Sequence, residues 1–217
     1  FFNTKLYTGT GSSNAITGVG FQTDMVWIKG RDYAYNHVLS DSVRGEKQLY
    51  PNLSNAQDSN TGEITSFDAD GFTVGTGGDV NYNTRTFVSW NWKESTTSGL
   101  DIVTYSGTGS AKTESHNLGV VPQIVLVKQL NDPGGGSNSW NMYHHSLGNT
   151  KYLDLNENSL AGTGTNRWND TTPTSSVFSV GTGNTTNQSG SSYIAYLWAE
   201  KKGYSKFGSY TGNGNTN

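Results

Sequence analysis

Four histidines and a small set of carboxylates are the side chains of this 217-residue chain best suited to act on a substrate or hold an ion. His37 and His116 stand alone, while His144 and His145 adjoin in "WNMYHHSLG". Neighbours on a regular strand point to opposite faces, so that pair is not expected to serve one metal. No G-x-S-x-G elbow occurs, and every G-x-G lies between strand-like segments with no helix to receive a phosphate. Glycoside hydrolysis would need two carboxyl groups facing each other across a cleft. The candidates are Glu63, Asp68, Asp70 and Asp79. In "TPTSSVFSV", which matches "SFDADGFTV", Thr174 and Ser176 stand where Asp68 and Asp70 do. Turn formation is therefore the simpler role for these acids, and no catalytic residue is assigned. Asp68 and Asp70 are also candidate Ca²⁺ ligands through oxygen, although no Glu falls at an EF-hand closing position. No other cofactor is implied.

Aromatic rings in polar loops give a different chemistry, because sugars lay their apolar faces on them. "GRDYAYNH" carries Tyr33 and Tyr35, flanked by Arg31 and Asp32, and "GDVNYNTRT" carries Tyr82. Those five residues are the candidate ligand site, the charged pair supplying polar contacts. Trp140 and Trp168 also lie in polar stretches. For each ring the competing role is packing beneath a loop.

The elements that must position these groups are short. "YTGTGSS" (7–13), "YSGTGSA" (105–111) and "YTGNGNT" (210–216) repeat one phrase, and their neighbours repeat as well. "MVWIK" (25–29) pairs with "IVLVK" (124–128), "GFTVGTGGD" with "VFSVGTGNT", and "RTFVSWNWKE" with "SSYIAYLWAE". Matches that keep their order indicate an internal duplication: residues 1–99, residues 100–204, and at 205–217 a linker or the first strand of a third copy. Loops such as "NDPGGGSNS" (131–139) absorb the changing offset. Strands are expected at 4–9, 24–29, 36–43, 47–53, 63–67, 71–75 and 85–93, then at 101–106, 123–129, 140–146, 150–156, 176–181 and 191–200. Helices are at most short. Val88, Trp90 and Trp92 share one strand face, as do Ile194, Tyr196 and Trp198, and both trios read as core.

Composition agrees with an all-β class. Hydrophobic residues make 32% and charged residues 14%, and the remaining volume is largely Gly, Ser, Thr and Asn. The fold expected is a tandem of antiparallel β-sandwiches, jelly-roll or concanavalin-like. A net charge of −3 without a basic run argues against nucleic acid. No apolar run approaches the ~20 residues of a membrane helix, and no membrane insertion is expected. The absence of cysteine removes disulfides and thiol chemistry.

"GVGFQTDMVWIKGRD", "LSDSVRG", "ITSFDADGFTVG", "TFVSWNWK" and "EKKGYSKFGSYTGNG" resemble tandem repeats of marine tailed-bacteriophage virion-surface and tail-fibre proteins. The resemblance covers nearly the whole chain. It implies a concanavalin-like sandwich and a non-enzymatic structural protein on the virion surface. Its partners would be other virion proteins and a host-surface glycan, and a homo-oligomer is expected. The alternatives are a purely structural capsid-decorating or fibre-shaft protein and a glycan-cleaving enzyme. "DSVRG" (41–45) comes with no role beyond the fold.

Overall fold

The computed structural model describes residues 1–58, 62–131 and 138–214, and the middle of the 131–139 loop lies outside them. The chain is all-β, in several antiparallel sheets. The N-terminal half contains β1 (Phe2–Thr8), β2 (Asn14–Ile16), β3 (Met25–Gly30), β4 (Val38–Asp41), β5 (Gln48–Leu49), β6 (Ile64–Asp68), β7 (Gly71–Val74), the helical turn α1 (Gly78–Asn81) and β8 (Thr86–Trp92). The C-terminal half contains β9 (Leu100–Ser106), β10 (Lys112–Ser115), β11 (Ile124–Gln129), β12 (Asn141–His144), β13 (Lys151–Asp154), β14 (Gly162–Thr163), α2 (Thr165–Trp168), β15 (Val177–Val180), α3 (Asn184–Asn187) and β16 (Ser192–Trp198). The expected strands are present. Three others, β2, β10 and β14, escape the sequence because two to four residues are too few to carry a legible alternation.

The two halves share one plan. The N-terminal large sheet runs β1-β8-β3-β4-β5, and the C-terminal one runs β9-β16-β11-β12-β13 with β14 added. The registers agree residue by residue: Met25 faces Trp92 and Asp41, as Ile124 faces Trp198 and His144. A small sheet covers the outer face of each, β2-β7-β6 in one half and β10-β15 in the other. Val26, Ile28, Val38 and Phe87 pack on Ile16, Phe72 and Val74 in the first half. Val125, Val127, Tyr193 and Leu197 pack on Phe178 and Val180 in the second.

The inner faces of the two large sheets meet. Met25, Leu39 and Leu49 join Leu100, Ile102, Leu126, Trp140, Ile194 and Tyr196 in one shared core. The layers therefore run small sheet, large sheet, large sheet, small sheet. The "DSVRG" segment locks this junction: Arg44 Nε donates to Asp41 Oδ2 at 2.7 Å, and Tyr196 OH donates to the same oxygen at 2.7 Å.

The repeated phrase has a structural cause. Tyr7 OH donates to Val80 O, and Tyr105 OH to Thr186 O, each tying a strand to a helical turn. Asn81 Oδ1 accepts from Thr10 N–H while its amide donates to Gly75 O and Ser12 O. Asn187 repeats all three contacts with Thr108, Gly181 and Ser110. Gly9 and Gly107 are required, since a Cβ there would collide with the carbonyl oxygens of Tyr82 and Gln188. Each buried amide so satisfied avoids a desolvation cost of about 1–3 kcal/mol.

Candidate functional site

The loop after β3 and the end of α1 bring the predicted tyrosines together at one rim of the N-terminal half. Tyr33 and Tyr35 lie 4.6 Å apart between ring centroids, and Tyr35 and Tyr82 lie 6.0 Å apart. The Arg85 guanidinium sits 5.0 Å above the Tyr33 ring. Tyr33 and Tyr82 are each 53% exposed, while Tyr35 is half-buried and stacks toward Phe87.

The loop is clasped from several sides. Both Asp32 oxygens accept from Thr86 N–H at 3.2 Å, and Arg31 N–H donates to Thr86 O at 2.8 Å. Lys29 Nζ donates to Gly30 O at 3.1 Å. Asn36 donates from its backbone and its amide to the two Asp79 oxygens. Asp32 is thereby a loop clasp, and Arg85, which no motif in the sequence singles out, is the cation on the Tyr33 ring. A loop fixed in this way presents its rings with little ordering entropy left to lose on binding.

The carboxylates do not gather. Asp70 accepts from Gly18 N–H and Gly20 N–H at 2.9 and 2.6 Å, which holds its carboxyl below the usual range. Asp68 accepts from Thr73 Oγ1 at 2.7 Å. Each carboxylate is thus engaged in hydrogen bonds to neighbouring chain segments. Among the described residues no group of three or more His, Cys, Asp or Glu side chains gathers to hold a metal ion. Glu63 is buried against Gly77 with Oε2 unpartnered, and burial, then Asp79 and Asp58, raise its carboxyl from 4.5 to about 7.

The structure decides several single-residue expectations. His144 and His145 do lie side by side, rings stacked at 5.1 Å, because β12 ends at His144 and the alternation stops there. Burial, then the His145 charge, lowers the His144 imidazole. Trp140 and Trp168 are core, their indole N–H groups donating to Tyr50 O and Lys151 O. Of the two strand trios, Ile194 and Tyr196 are fully buried and Trp198 is half-buried, whereas Val88, Trp90 and Trp92 are all half-buried.

That half-burial opens a second surface. Phe2, Trp27 and Trp92 from one large sheet and Ile124, Met142 and Trp198 from the other line a cleft of about 610 Å³. Beside it Trp27, His37, Trp90 and Trp92 bound a recess of about 320 Å³, in which Trp27 Nε1 donates to His37 Nδ1 at 2.9 Å. Strand alternation predicts which rings share a face, but not which part of that face the other sheet covers.

Residues 1–217 match the model of a family described as a domain of unknown function, DUF7483, and the chain belongs to that family. No curated protein and no solved structure matches it. Among the described residues no helix is long and apolar enough to cross a membrane.

Proposed function

We propose that this chain is a non-enzymatic surface module of a bacteriophage virion, in a tail fibre or appendage, that holds a host-surface glycan on its tyrosine cluster. The observation carrying this reading is the convergence of Tyr33 and Tyr35, on a loop clasped at both ends, with Tyr82 and with Arg85 stacked on Tyr33. Aromatic faces with a cation and nearby amides suit a pyranose ring, which offers apolar C–H faces and equatorial hydroxyls. Equal strand order and register in the two halves support tandem sandwich repeats, jelly-roll or concanavalin-like, from an internal duplication. The likeness to phage repeats supports a virion-surface location, neighbours among virion proteins and assembly as a homo-oligomer, in which weak sites add by avidity. Against hydrolysis stand the enclosed Glu63 and the turn-bound Asp68 and Asp70.

A glycan array and host-cell binding assay test this, with Tyr33→Ala and Tyr82→Ala beside the parent. Both rings are exposed, so the fold should survive their loss, and each truncation should weaken binding about tenfold. Unchanged binding by the double variant would remove the cluster from consideration. The purely structural alternative, capsid decoration or fibre shaft, is favoured by the apolar cleft.

A further inference from the structure

The two inner faces are covered unequally, and the inequality has a direction. On the N-terminal sheet most of the β3–β5 half is covered: Met25, Leu39 and Leu49 are each 0% exposed. Trp27 of β3 alone among these core positions is half-buried, at the edge of the cleft. Their register counterparts on the C-terminal sheet are Ile124, Met142 and Leu153. Ile124 is 7% exposed, and the other two are only half-buried. The outer-strand half shows the opposite bias. Leu100, Ile102, Ile194 and Tyr196 are 1%, 6%, 0% and 0% exposed. Their counterparts are Phe2, Thr4, Val88 and Trp90. Phe2 is 42% exposed, Thr4 is exposed, and Val88 and Trp90 are half-buried.

The N-terminal half thus lays its β3–β5 side over the outer-strand side of its successor. That contact is heterologous, with different patches on equivalent surfaces, and such a contact builds either a ring or an open filament. Here both uncovered sides border one cleft: Phe2 and Trp92 face Ile124 and Met142 across it. Two open patches that face the same gap describe a ring with a member missing.

The chain after β16 enters that gap in a repeated geometry. Glu94 Oε1 accepts Ile102 N–H at 2.9 Å where the first half hands over to the second, and Glu200 Oε1 accepts Phe207 N–H at 2.9 Å after the second. The bridge Lys201–Ser205 likewise repeats Ser95–Leu100. Ile102 lies in the shared core, and Phe207 lines the cleft. Three residues on, Tyr210 begins the third copy of the phrase. It is 94% exposed, where the hydroxyls of Tyr7 and Tyr105 each close on a helical turn.

We infer that the cleft is the seat of a third module of this same kind, whose first strand is the segment from Ser205 onward. Seated there, it completes a three-module ring around an aromatic core. Its outer strands take the place against Ile124, Met142 and Leu153 that β9 and β16 take against Met25, Leu39 and Leu49. Its β3–β5 side covers Phe2, Val88 and Trp90. The occupant is identified by continuity with the interface already present between the halves, and the inference does not depend on a glycan at the tyrosine cluster.

The test is a chain in which Tyr7–Trp92 is appended after Ser209, compared with the 217-residue protein by hydroxyl-radical footprinting read by mass spectrometry. Phe2 and Met142 occur once in both chains, so their oxidation reports the cleft unambiguously. The expected result is loss of labelling at both residues in the three-module chain. A second chain, carrying Tyr105–Trp198 after Ser209, supplies equivalent faces should the first fold poorly; it repeats Met142, so Phe2 alone is the reporter there. Labelling that stays at the two-module level, at Phe2 and Met142 in the first chain and at Phe2 in the second, overturns the inference. So does protection of these residues in the 217-residue protein by an oligosaccharide, which would make the cleft a ligand site.

Discussion

Replacing Arg44 by methionine should loosen the junction between the halves more than any surface change. The Arg44 side chain is 3% exposed and that of Asp41 is 0% exposed. Arg44 Nε donates to Asp41 Oδ2 at 2.7 Å, and Nη2 lies 2.7 Å from the same oxygen. Removing one partner of a buried pair costs about 3–5 kcal/mol, chiefly the penalty of the charge left behind. Asp41 keeps two donors, the Arg44 backbone N–H at 2.9 Å and Tyr196 OH at 2.7 Å, which places the loss near about 3 kcal/mol. For a chain of this size that is a fall in Tm of roughly 6–12 °C. Tyr196→Phe removes the hydroxyl that donates to Asp41 Oδ2 and accepts from Arg44 Nη2 at 3.3 Å, and leaves the stacking on Trp140, so about 1.5–3 kcal/mol is expected. The three groups form one network, so the double variant should lose less than the sum of the two singles. The Asp41→Leu/Arg44→Met pair should recover most of the loss, because it leaves no orphaned charge. Calorimetry on the four variants decides this. An Arg44→Met protein melting within about 2 °C of the parent would refute the reasoning, because a buried, singly deprived carboxylate cannot be that cheap.

Other expectations follow from single sites. Asn187→Ala strips the Thr108, Ser110 and Gly181 contacts at once and should cost about 2–4 kcal/mol, read as a shift in denaturant midpoint; Asn81→Ala should behave alike. Gly107→Ala drives a methyl group into Gln188 O and should destabilise the fold more than Gly190→Ala, where the space is open and only the positive φ is strained. Because Glu63 is raised to about 7, the folded protein holds an extra proton between about pH 4.5 and 7. Its contribution is full below pH 4.5 and is lost as pH rises through 7. Glu63→Gln should therefore flatten the stability profile across that window and raise Tm at pH 8, by the equivalent of about 1–3 kcal/mol. A profile as steep as the parent's would assign the slope elsewhere.

The sequence by itself determined every strand but β2, β10 and β14, because runs such as "MVWIK" and "IVLVK" commit a backbone to extended structure before any partner is present. It also located the phrase that closes each half, since only Gly tolerates the approach of the Tyr82 and Gln188 carbonyls. It placed Tyr33, Tyr35 and Tyr82 in polar loops, though not Arg85 above them. The tertiary structure alone decided which equivalent residues are core. Trp90 and Tyr196 occupy the same register position, yet Tyr196 is sealed and Trp90 is half open. Alternation along a strand tells a side chain which face it shares, and that is a local property of the backbone. What lies against that face is set by the offset of one sheet over another, which depends on contacts between residues as distant as Asp41 and Tyr196.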